Sequence, residues 1–444
     1  MLMPPRISDW LPDNHLAKFV VEIVDQLDIS AIEEQYAPRG GTPYSPRMLL
    51  SLLFYGYATG VFSSRKLEKE TYDSVAFRYI TCDQHPDHDT INEFRKRFLK
   101  ELQPLFTQIL LVAREMGVLK VGQVVIDGTK VKANANKHKA VSYKRSGEIA
   151  KQLEQEVKEL LRKAKEADRE PVHDAGLDLP AEIARREQRL EKIKEARAVI
   201  EERARERYQE EKAEYQAKLA ERERKAEETG KKPRGKAPKP PEEGPRDKEQ
   251  YNFTDPESRL MKESGSGTFK QAYNAQVAVD ADSMLIMGQR VTEHPNDKQE
   301  LIPTLEAIPE KVGKPAVGIA DAGYYSQSNI KECQERGVDP YIAAGRVPHY
   351  KPLEERLAEL RGIEPPAPPG NATPRERMAH KLRTRKGQAI YRLRKMTVEP
   401  VFGIIKEVLG FGHFSLRGMA KAAGEWTLVC IGYNLKRLFS LKMA

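Results

Sequence analysis

Apolar positions in the first 118 residues recur at the spacing of amphipathic helices. The longest apolar run, "SPRMLLSLLFYGYATG", includes Pro46 near its start, where a proline suits the first turn of a helix. A second run begins near Thr90 and continues past Pro104, which we expect to kink or split its helix. The pattern predicts a helical N-terminal domain over residues 1–118.

The polar side of the second run is strongly basic. Helical spacing leaves Arg95, Arg97 and Lys100 on the side expected to face solvent or a phosphate backbone. Such a basic face is typical of DNA-binding helices, so these residues are candidate DNA contacts. A helical bundle with an ordinary solvated charged face explains the pattern equally well.

The pattern changes to strands after residue 118, and then to long charged segments. The run "GQVVIDGTKVKANA" predicts a strand, a turn and a second strand. Residues 141–229 are mostly Glu, Lys, Arg and Ala with two thin apolar stripes, which predicts two long helices in an antiparallel hairpin. Residues 230–249 are rich in proline and charge and predict a disordered linker.

Strand and helix signals alternate from residue 250 to residue 444. When the hairpin and the linker are set aside, three strands are followed by helices and strands in alternation. This order predicts an α/β domain, a mixed sheet flanked by helices, built from residues 119–140 and 250–444. The helical hairpin is then an insertion into that domain.

Composition favours a polyanionic partner and disfavours two other classes of protein. The net charge is +9 and the pI about 9.1, which suits binding to a polyanion. Three scattered cysteines predict neither a disulfide framework nor a zinc finger. No apolar run reaches the roughly 18 residues of a membrane span, and a signal peptide is not expected. We therefore expect a soluble, cytoplasmic protein without a membrane partner.

Three acidic residues are candidates for the chemistry. Asp127 and Asp321 each follow a short apolar run, so both are expected at strand ends, a common catalytic position in α/β sheets. Glu399 lies in a basic, helical stretch. Three converging carboxylates would hold two divalent ions acting on a phosphodiester, and Mg²⁺ prefers such ligands. An Asp before a Gly is also common in simple turns.

Basic residues share the helical face of Glu399. At about 100° per residue, Lys406 lies within about 20° of that face, and Lys395 and Arg392 lie on it too. These cations would grip DNA phosphates beside the carboxylate, although an ordinary salt-bridged helix has the same spacing. Pro400 disfavours helical geometry at Glu399 and is expected to kink the helix.

Several motifs in order resemble the DDE transposases of bacterial insertion sequences, whose catalytic domain is ribonuclease-H-like. The motifs include "HPDHDTINEFRKRF", "VVIDGTKVKANA", "YNAQVAVD", "GIADAGYYS" and "YRLRKMTVEPVFGIIK". The resemblance implies that Asp127, Asp321 and Glu399 are the acidic triad and bind two Mg²⁺ ions, for which Mn²⁺ can substitute. It also implies cleavage at terminal inverted repeats and transfer of the 3′-hydroxyl into target DNA. The expected form is a homodimer on double-stranded DNA, associated with the nucleoid.

Related transposases carry a Tyr–Arg–Glu–Lys signature around the glutamate. Glu399 and Lys406 keep its spacing. Tyr391 and Arg394 keep their spacing from each other but lie one residue too far from Glu399. The resemblance therefore implies supporting cations in this helix without fixing which residues supply them.

The one-residue offset leaves two registers open. Arg392 and Lys395 occupy the places where the signature has Tyr and Arg. A kink at Pro400 would allow either register, so Tyr391 and Arg394 stay candidate DNA contacts beside Arg392, Lys395 and Lys406.

Rival functions fit parts of the sequence. A related metal-dependent nuclease would cut DNA without joining it, and a regulator derived from a transposase would bind DNA without catalysis. A coiled-coil scaffold would explain only the inserted hairpin. The role of the hairpin is open between multimerisation, DNA contact and a solvated spacer.

Overall fold

The chain forms two compact units in a computed structural model. The described residues are 6–36, 44–167, 178–229, 237–262, 267–345 and 361–443, with Leu353, Arg356 and Leu357. The sheet unit comprises Met1–Asn134 and Met261–Ala444, and the inserted unit comprises Ala135–Leu260. The domain boundaries expected from the sequence stay predictions, and their stretches 37–43 and 230–236 lie outside the described residues.

Strands and helices of the described residues are numbered in chain order. The strands are β1 (Gln123–Lys132), β2 (Ala140–Ser142), β3 (Gln250–Asn252), β4 (Arg259–Lys262), β5 (Phe269–Asp280), β6 (Ile286–Thr292), β7 (Val317–Ala320) and β8 (Asp339–Ile342). The helices are α1 (Leu16–Gln26), α2 (Ser30–Glu33), α3 (Pro46–Thr59), α4 (Ser64–Asp73), α5 (Val75–Ile80), α6 (His88–Arg97), α7 (Leu102–Glu115), α8 (Tyr143–Ala167), α9 (Leu179–Thr229), α10 (Leu301–Glu306), α11 (Gln327–Glu335), α12 (Pro374–Arg383), α13 (Arg385–Gly403) and α14 (Met419–Met443).

A mixed sheet with β1 at its centre organises the sheet unit. The strand order is β4-β5-β1-β7-β8, and β6 also pairs with β5. β1 is antiparallel to β5 and parallel to β7, which is parallel to β8. Helices α11, α13 and α14 pack against these strands. The sequence prediction of an α/β, ribonuclease-H-like mixed sheet flanked by helices is confirmed.

β1 runs straight through Asp127 and Gly128, so the turn predicted inside "GQVVIDGTKVKANA" is wrong. Glycine is needed there for another reason. A Cβ at Gly128 would lie 2.0 Å from Nε2 of Gln276 on β5. The missing side chain therefore makes room for a polar neighbour from the next strand.

The N-terminal helices share a core with the last helix of the chain. α3 is buried along most of its length and packs against α14. The two helices approach closely because α14 has Gly432 at the contact, where a Cβ would lie 2.8 Å from the backbone nitrogen of Ala58. The predicted helix is split, but before Pro104 rather than at it: α6 ends at Arg97, α7 begins at Leu102, and Pro104 lies in the first turn of α7.

The helix that carries Glu399 is continuous through Pro400. α13 ends at Gly403 and passes directly into a π turn, Ile404–Val408. Leu409 N donates to Ile404 O at 2.8 Å, which gives the wider spacing of a π turn. The irregularity in this helix therefore lies just beyond Pro400 rather than at it.

The inserted unit contains the predicted helical hairpin. As residue numbers rise along α8, the residue numbers of their partners on α9 fall. Tyr143 hydrogen-bonds Glu201 at 2.8 Å, and Glu156 hydrogen-bonds Arg186 at 2.8 Å. This order makes the helices antiparallel. The apolar seam is thin, because its buried positions are Leu153, Ile193, Ala196, Ile200 and Ala204.

The described part of the predicted linker is held against α9, so the expectation of disorder is wrong for residues 237–249. Arg246 donates to Glu211 at 3.0 Å, and Arg207 donates to the carbonyl of Gly244 at 2.7 Å. Arg207 also forms an ion pair with Glu249. The charged residues of this stretch thus pair with the hairpin.

Candidate active site

Two of the predicted acids meet at one edge of the sheet. β1 and β7 are parallel, and Ile126 pairs with Ala320. The next residue on each strand is the aspartate, so Asp127 and Asp321 lie side by side where β7 ends. Parallel pairing brings together two residues that are almost 200 positions apart in the sequence.

The environment of Asp127 disfavours its charged form. Burial, followed by the charge of Asp321, raises the pKa of the Asp127 carboxyl to about 7. The backbone N–H of Gly128 donates to Asp127 at 2.8 Å, and this bond and Arg394 act in the opposite direction. The carboxyl is only 20% exposed. Such a group gains from a cation placed beside it.

A third aspartate, Asp297, lies near this pair, and the sequence reading missed it. One oxygen, Oδ1, accepts from Asn274 at 2.7 Å, from Gln276 at 2.9 Å and from Lys130 at 3.2 Å. Its charge also contributes to the raised pKa of Asp127. We call Asp127, Asp321 and Asp297 the acidic edge.

A buried polar chain fixes the floor of the acidic edge. The hydroxyl of Tyr324 donates to Oε1 of Gln276, and the amide of Gln276 donates to Asn274 as well as to Asp297. Asn274 and Gln276 are two positions apart on β5 and so point to the same face. Polar residues at alternate positions of an apolar strand, as in "YNAQVAV", are the sequence signal that marks them.

Arg394 joins the acidic edge to Glu399. Its Nη1 lies 3.7 Å from Oδ2 of Asp127, and its Nη2 lies 3.4 Å from Oε1 of Glu399. Glu399 itself is 53% exposed. One guanidinium thus lies between two of the three acids of the predicted triad.

The structure chooses between the two registers of the α13 signature. Tyr391 is half-buried, and burial raises the pKa of its hydroxyl while the nearby charge of Arg394 acts in the opposite direction. Arg392 and Lys395 are exposed. Tyr391 and Arg394 therefore face the acids, and the other pair faces solvent.

Lys406, the last residue of the signature, lies in the π turn and reaches the central strand. Its Nζ donates to the carbonyl oxygen of Lys130 at 3.4 Å. Lys130 is three residues beyond Asp127 on β1 and pairs with Asp297. The cation is therefore held beside the strand that carries the first acid.

Of the three N-terminal candidates, one is not available to DNA. Arg95 is 6% exposed and donates to Tyr57 Oη at 3.1 Å and to the carbonyl of Phe62 at 3.0 Å. The expectation that Arg95 faces solvent is wrong, because its guanidinium satisfies buried oxygens between helices. Arg97 and Lys100 are exposed as predicted.

The acids fit a divalent ion in part. Asp127 and Asp321 supply the oxygen donors that hard cations prefer, and their mutual repulsion would fall if a cation lay between them. Within the described residues, however, no three metal-ligating side chains converge closely enough to hold an ion. Glu399 is separated from Asp127, since Arg394 stands between the two acids.

Two family comparisons identify the class of protein. Residues 236–435 match the family described as Transposase DDE domain, and residues 5–97 match the Transposase domain (DUF772). The chain belongs to the DDE transposases of insertion sequences. This family consists of nucleases and transesterases that act on DNA and use divalent metal ions.

The matched residues include Asp321 and Glu399 but begin after β1, so Asp127 is supported by geometry rather than by the match. No curated protein and no solved structure matches the chain. Across the described residues, none of the helices is long and apolar enough to cross a membrane.

Proposed function

We propose that this transposase cleaves DNA at the ends of its element and joins the freed 3′-hydroxyl to target DNA, with Asp127, Asp321 and Glu399 as the metal-binding acids. The observation that carries the proposal is the parallel pairing of β1 with β7, which sets Asp127 beside Asp321. Asp127 lies on the central strand β1, and Asp321 directly follows β7.

The ions that suit this donor set are two Mg²⁺, with Mn²⁺ as a substitute, because carboxylate oxygens are hard ligands. When bound, they would supply the charge that stabilises the attacking and leaving oxygens of a phosphodiester. The contribution of the chain is to hold two acids at a fixed separation. The raised pKa of Asp127 means that its proton must leave before the carboxylate acts as a ligand.

Arg394 supports the proposal as a built-in counter-ion. Its guanidinium contacts Asp127 and Glu399 and so neutralises acids that would otherwise repel one another. Tyr391 lies near enough for the charge of Arg394 to act on its hydroxyl. Once metal ions replace the charge of Arg394 at the acids, Arg394 is placed to bind a DNA phosphate. Lys406, in the π turn after α13, is placed to do the same.

The DNA partners follow from the same proposal. Arg97 and Lys100 are exposed on the N-terminal helices and would bind the terminal inverted repeats of the element. Arg392 and Lys395, exposed on α13, would contact target or element DNA beside the acids. We propose a homodimer on DNA, since two element ends must be processed together, acting at the nucleoid in the cytoplasm.

The test is a Mg²⁺-dependent cleavage and joining assay on DNA that carries the two element ends. Wild type is expected to cut and to join, and Asp321→Ala to do neither. Asp282→Asn, which changes an exposed acid between β5 and β6, is the matched control and should keep activity. Cutting without joining of pre-cut ends would indicate the rival nuclease, and binding without either reaction would indicate the regulator.

A further inference from the structure

The inserted unit contains a basic groove that the transposase chemistry does not use. It has a volume of about 500 Å³ and lies between the short β2–β3 pair and the hairpin helices. The side chains that give it its basic character are Lys139, Arg145, Arg189 and Lys192, with His138 beside them, all of them exposed. We call these five residues, with Phe253, the basic groove. No acidic side chain is among the described residues that line it.

Hydrogen bonds hold the backbone of the basic groove. The N–H of Phe253 donates to the carbonyl of Lys139 at 3.0 Å, and the N–H of His138 donates to Oδ1 of Asn136 at 3.0 Å. The floor includes Val141 and Ile193, which are 5% and 4% exposed. The floor of the basic groove is therefore apolar.

Phe253 supplies an apolar wall. Phe253 is 37% exposed, although phenylalanine is among the residue types most often buried. The ring is held edge-on to Tyr251, with centroids 5.2 Å apart. An exposed but immobilised aromatic ring suits contact with a sugar or a base.

The charges of the basic groove differ from those on the rest of the same helices. Elsewhere cations pair with carboxylates of the hairpin, as Lys194 does with Glu154 at 3.3 Å and Arg186 with Glu156 at 2.8 Å. Among the described residues, Lys139, Arg145 and Lys192 have no such ion pair. Charges are thus paired at these positions of the hairpin, whereas three of the groove cations have no ion pair within the described residues and Arg189 lies near Glu156.

We propose that the basic groove binds one sugar-phosphate strand of the DNA on which the transposase acts, a role that rests on the proposed function. Four cations lining one groove match several phosphates, whereas a single small anion would need only one or two. The apolar floor and Phe253 match the deoxyribose and base faces. We expect the groove to bind DNA without base-sequence specificity, because it presents cations and apolar groups suited to the sugar-phosphate backbone and to base faces rather than to base edges.

The experiment is DNA binding by the full chain without divalent metal, followed by fluorescence anisotropy over a range of KCl concentrations. Labelled duplex and single-stranded DNA of one sequence are the two probes, because the strand could come from either. The groove variant combines Arg145→Gln, Arg189→Gln and Lys192→Gln. The control variant combines Lys163→Gln, Arg205→Gln and Lys218→Gln, which removes equal charge from exposed, ion-paired positions of the same helices.

The groove variant is expected to lower the slope of log affinity against log salt by about two units on at least one probe. The control variant should change it by less than half as much. Phe253→Ala should weaken binding at least fivefold with an unchanged slope, because it removes a stacking surface and no charge. Circular dichroism checks that all variants keep the helices.

Equal effects of the two triple variants would overturn the proposal, and so would unaltered affinity of Phe253→Ala for both probes. Repeating the binding with Asp127→Asn separates this result from the chemistry. If the wild type does not cleave DNA but the groove variant still lowers the salt slope of DNA binding, the proposed function is wrong and the proposal for the groove stands. If cleavage succeeds and the slope does not move, the reverse holds.

Discussion

The acidic edge and the basic groove gather opposite charges by different physical means. The acidic edge brings Asp127 and Asp321 together through sheet pairing over a long sequence distance, and burial makes the charge of Asp127 costly. The basic groove collects exposed cations on a small strand pair and two helices, where water screens them. A few buried charges can hold metal ions tightly, whereas many solvated ones suit a long, weakly held polyanion.

The largest expected effect is on DNA cleavage, when one acid of the acidic edge is removed. Asp321→Ala should lower DNA cleavage by at least about a thousandfold, since a metal ligand is worth several kcal/mol to the transition state. The salt dependence of DNA binding should stay as in wild type, because the basic groove is intact. Gel assays of end cleavage and anisotropy on the same preparations measure both. A large change in salt slope would contradict the division of roles.

Stability against pH sharpens the contrast at Asp127. The pKa of Asp127 is about 7 in the folded state, against 3.8 in the unfolded state. Its contribution to stability is therefore fully present below about pH 4 and is lost as pH rises through 7, where the buried carboxyl becomes charged. Asp127→Asn should therefore stabilise the metal-free protein by roughly 2–4 kcal/mol at pH 8 and by little at pH 4. Urea unfolding at both pH values is the measurement. Asp282→Asn, as the exposed control, should show no such difference.

Sheet pairing explains which features were predictable from the sequence. The apolar runs before Asp127 and Asp321 mark strand ends, and parallel order then brings them together. Asp297 had no such signal, because its place depends on where the segment after β6 folds back onto β5. Local motifs misled where tertiary packing decided: Gly128 suggested a turn but admits Gln276.

The helical predictions show the same limit. Periodicity placed Arg95 on a polar face, yet helix α3 and the segment after it cover that position, with Tyr57 and Phe62 as its partners. The register of α13 was undecided in sequence because one residue separates two matches to the signature. Contacts with Asp127 and Glu399 decide it for Arg394.

Asp297 tests whether the acidic edge has a positioning residue beyond the triad. Asp297→Asn keeps the shape but removes the charge that pairs with Lys130. We expect cleavage to fall by about tenfold to a hundredfold, as for residues that orient metal ligands. The pH at which metal affinity reaches half its maximum should move lower, because the pKa of Asp127 falls with one negative charge fewer nearby. A merely structural Asp297 would lower stability without moving that midpoint.

The smallest expected effects compare neighbouring cations on α13. Arg394→Gln should reduce cleavage by about tenfold, because a charge-assisted contact to the acids or to a phosphate is lost. Arg392→Gln, its exposed neighbour, should change the rate by no more than about twofold. Single-turnover cleavage rates distinguish them. Equal losses would restore the alternative register of the signature.

Metal binding in the absence of DNA tests the Asp127–Asp321 centre most directly. Calorimetric titration with Mn²⁺ at pH 8 should show binding to wild type and Asp282→Asn. When the titration is repeated below pH 7, binding should release a proton. Asp127→Asn and Asp321→Ala should each weaken that binding by about a hundredfold or more. Unchanged Mn²⁺ affinity in both variants would contradict the placement of the metal ions at these two acids.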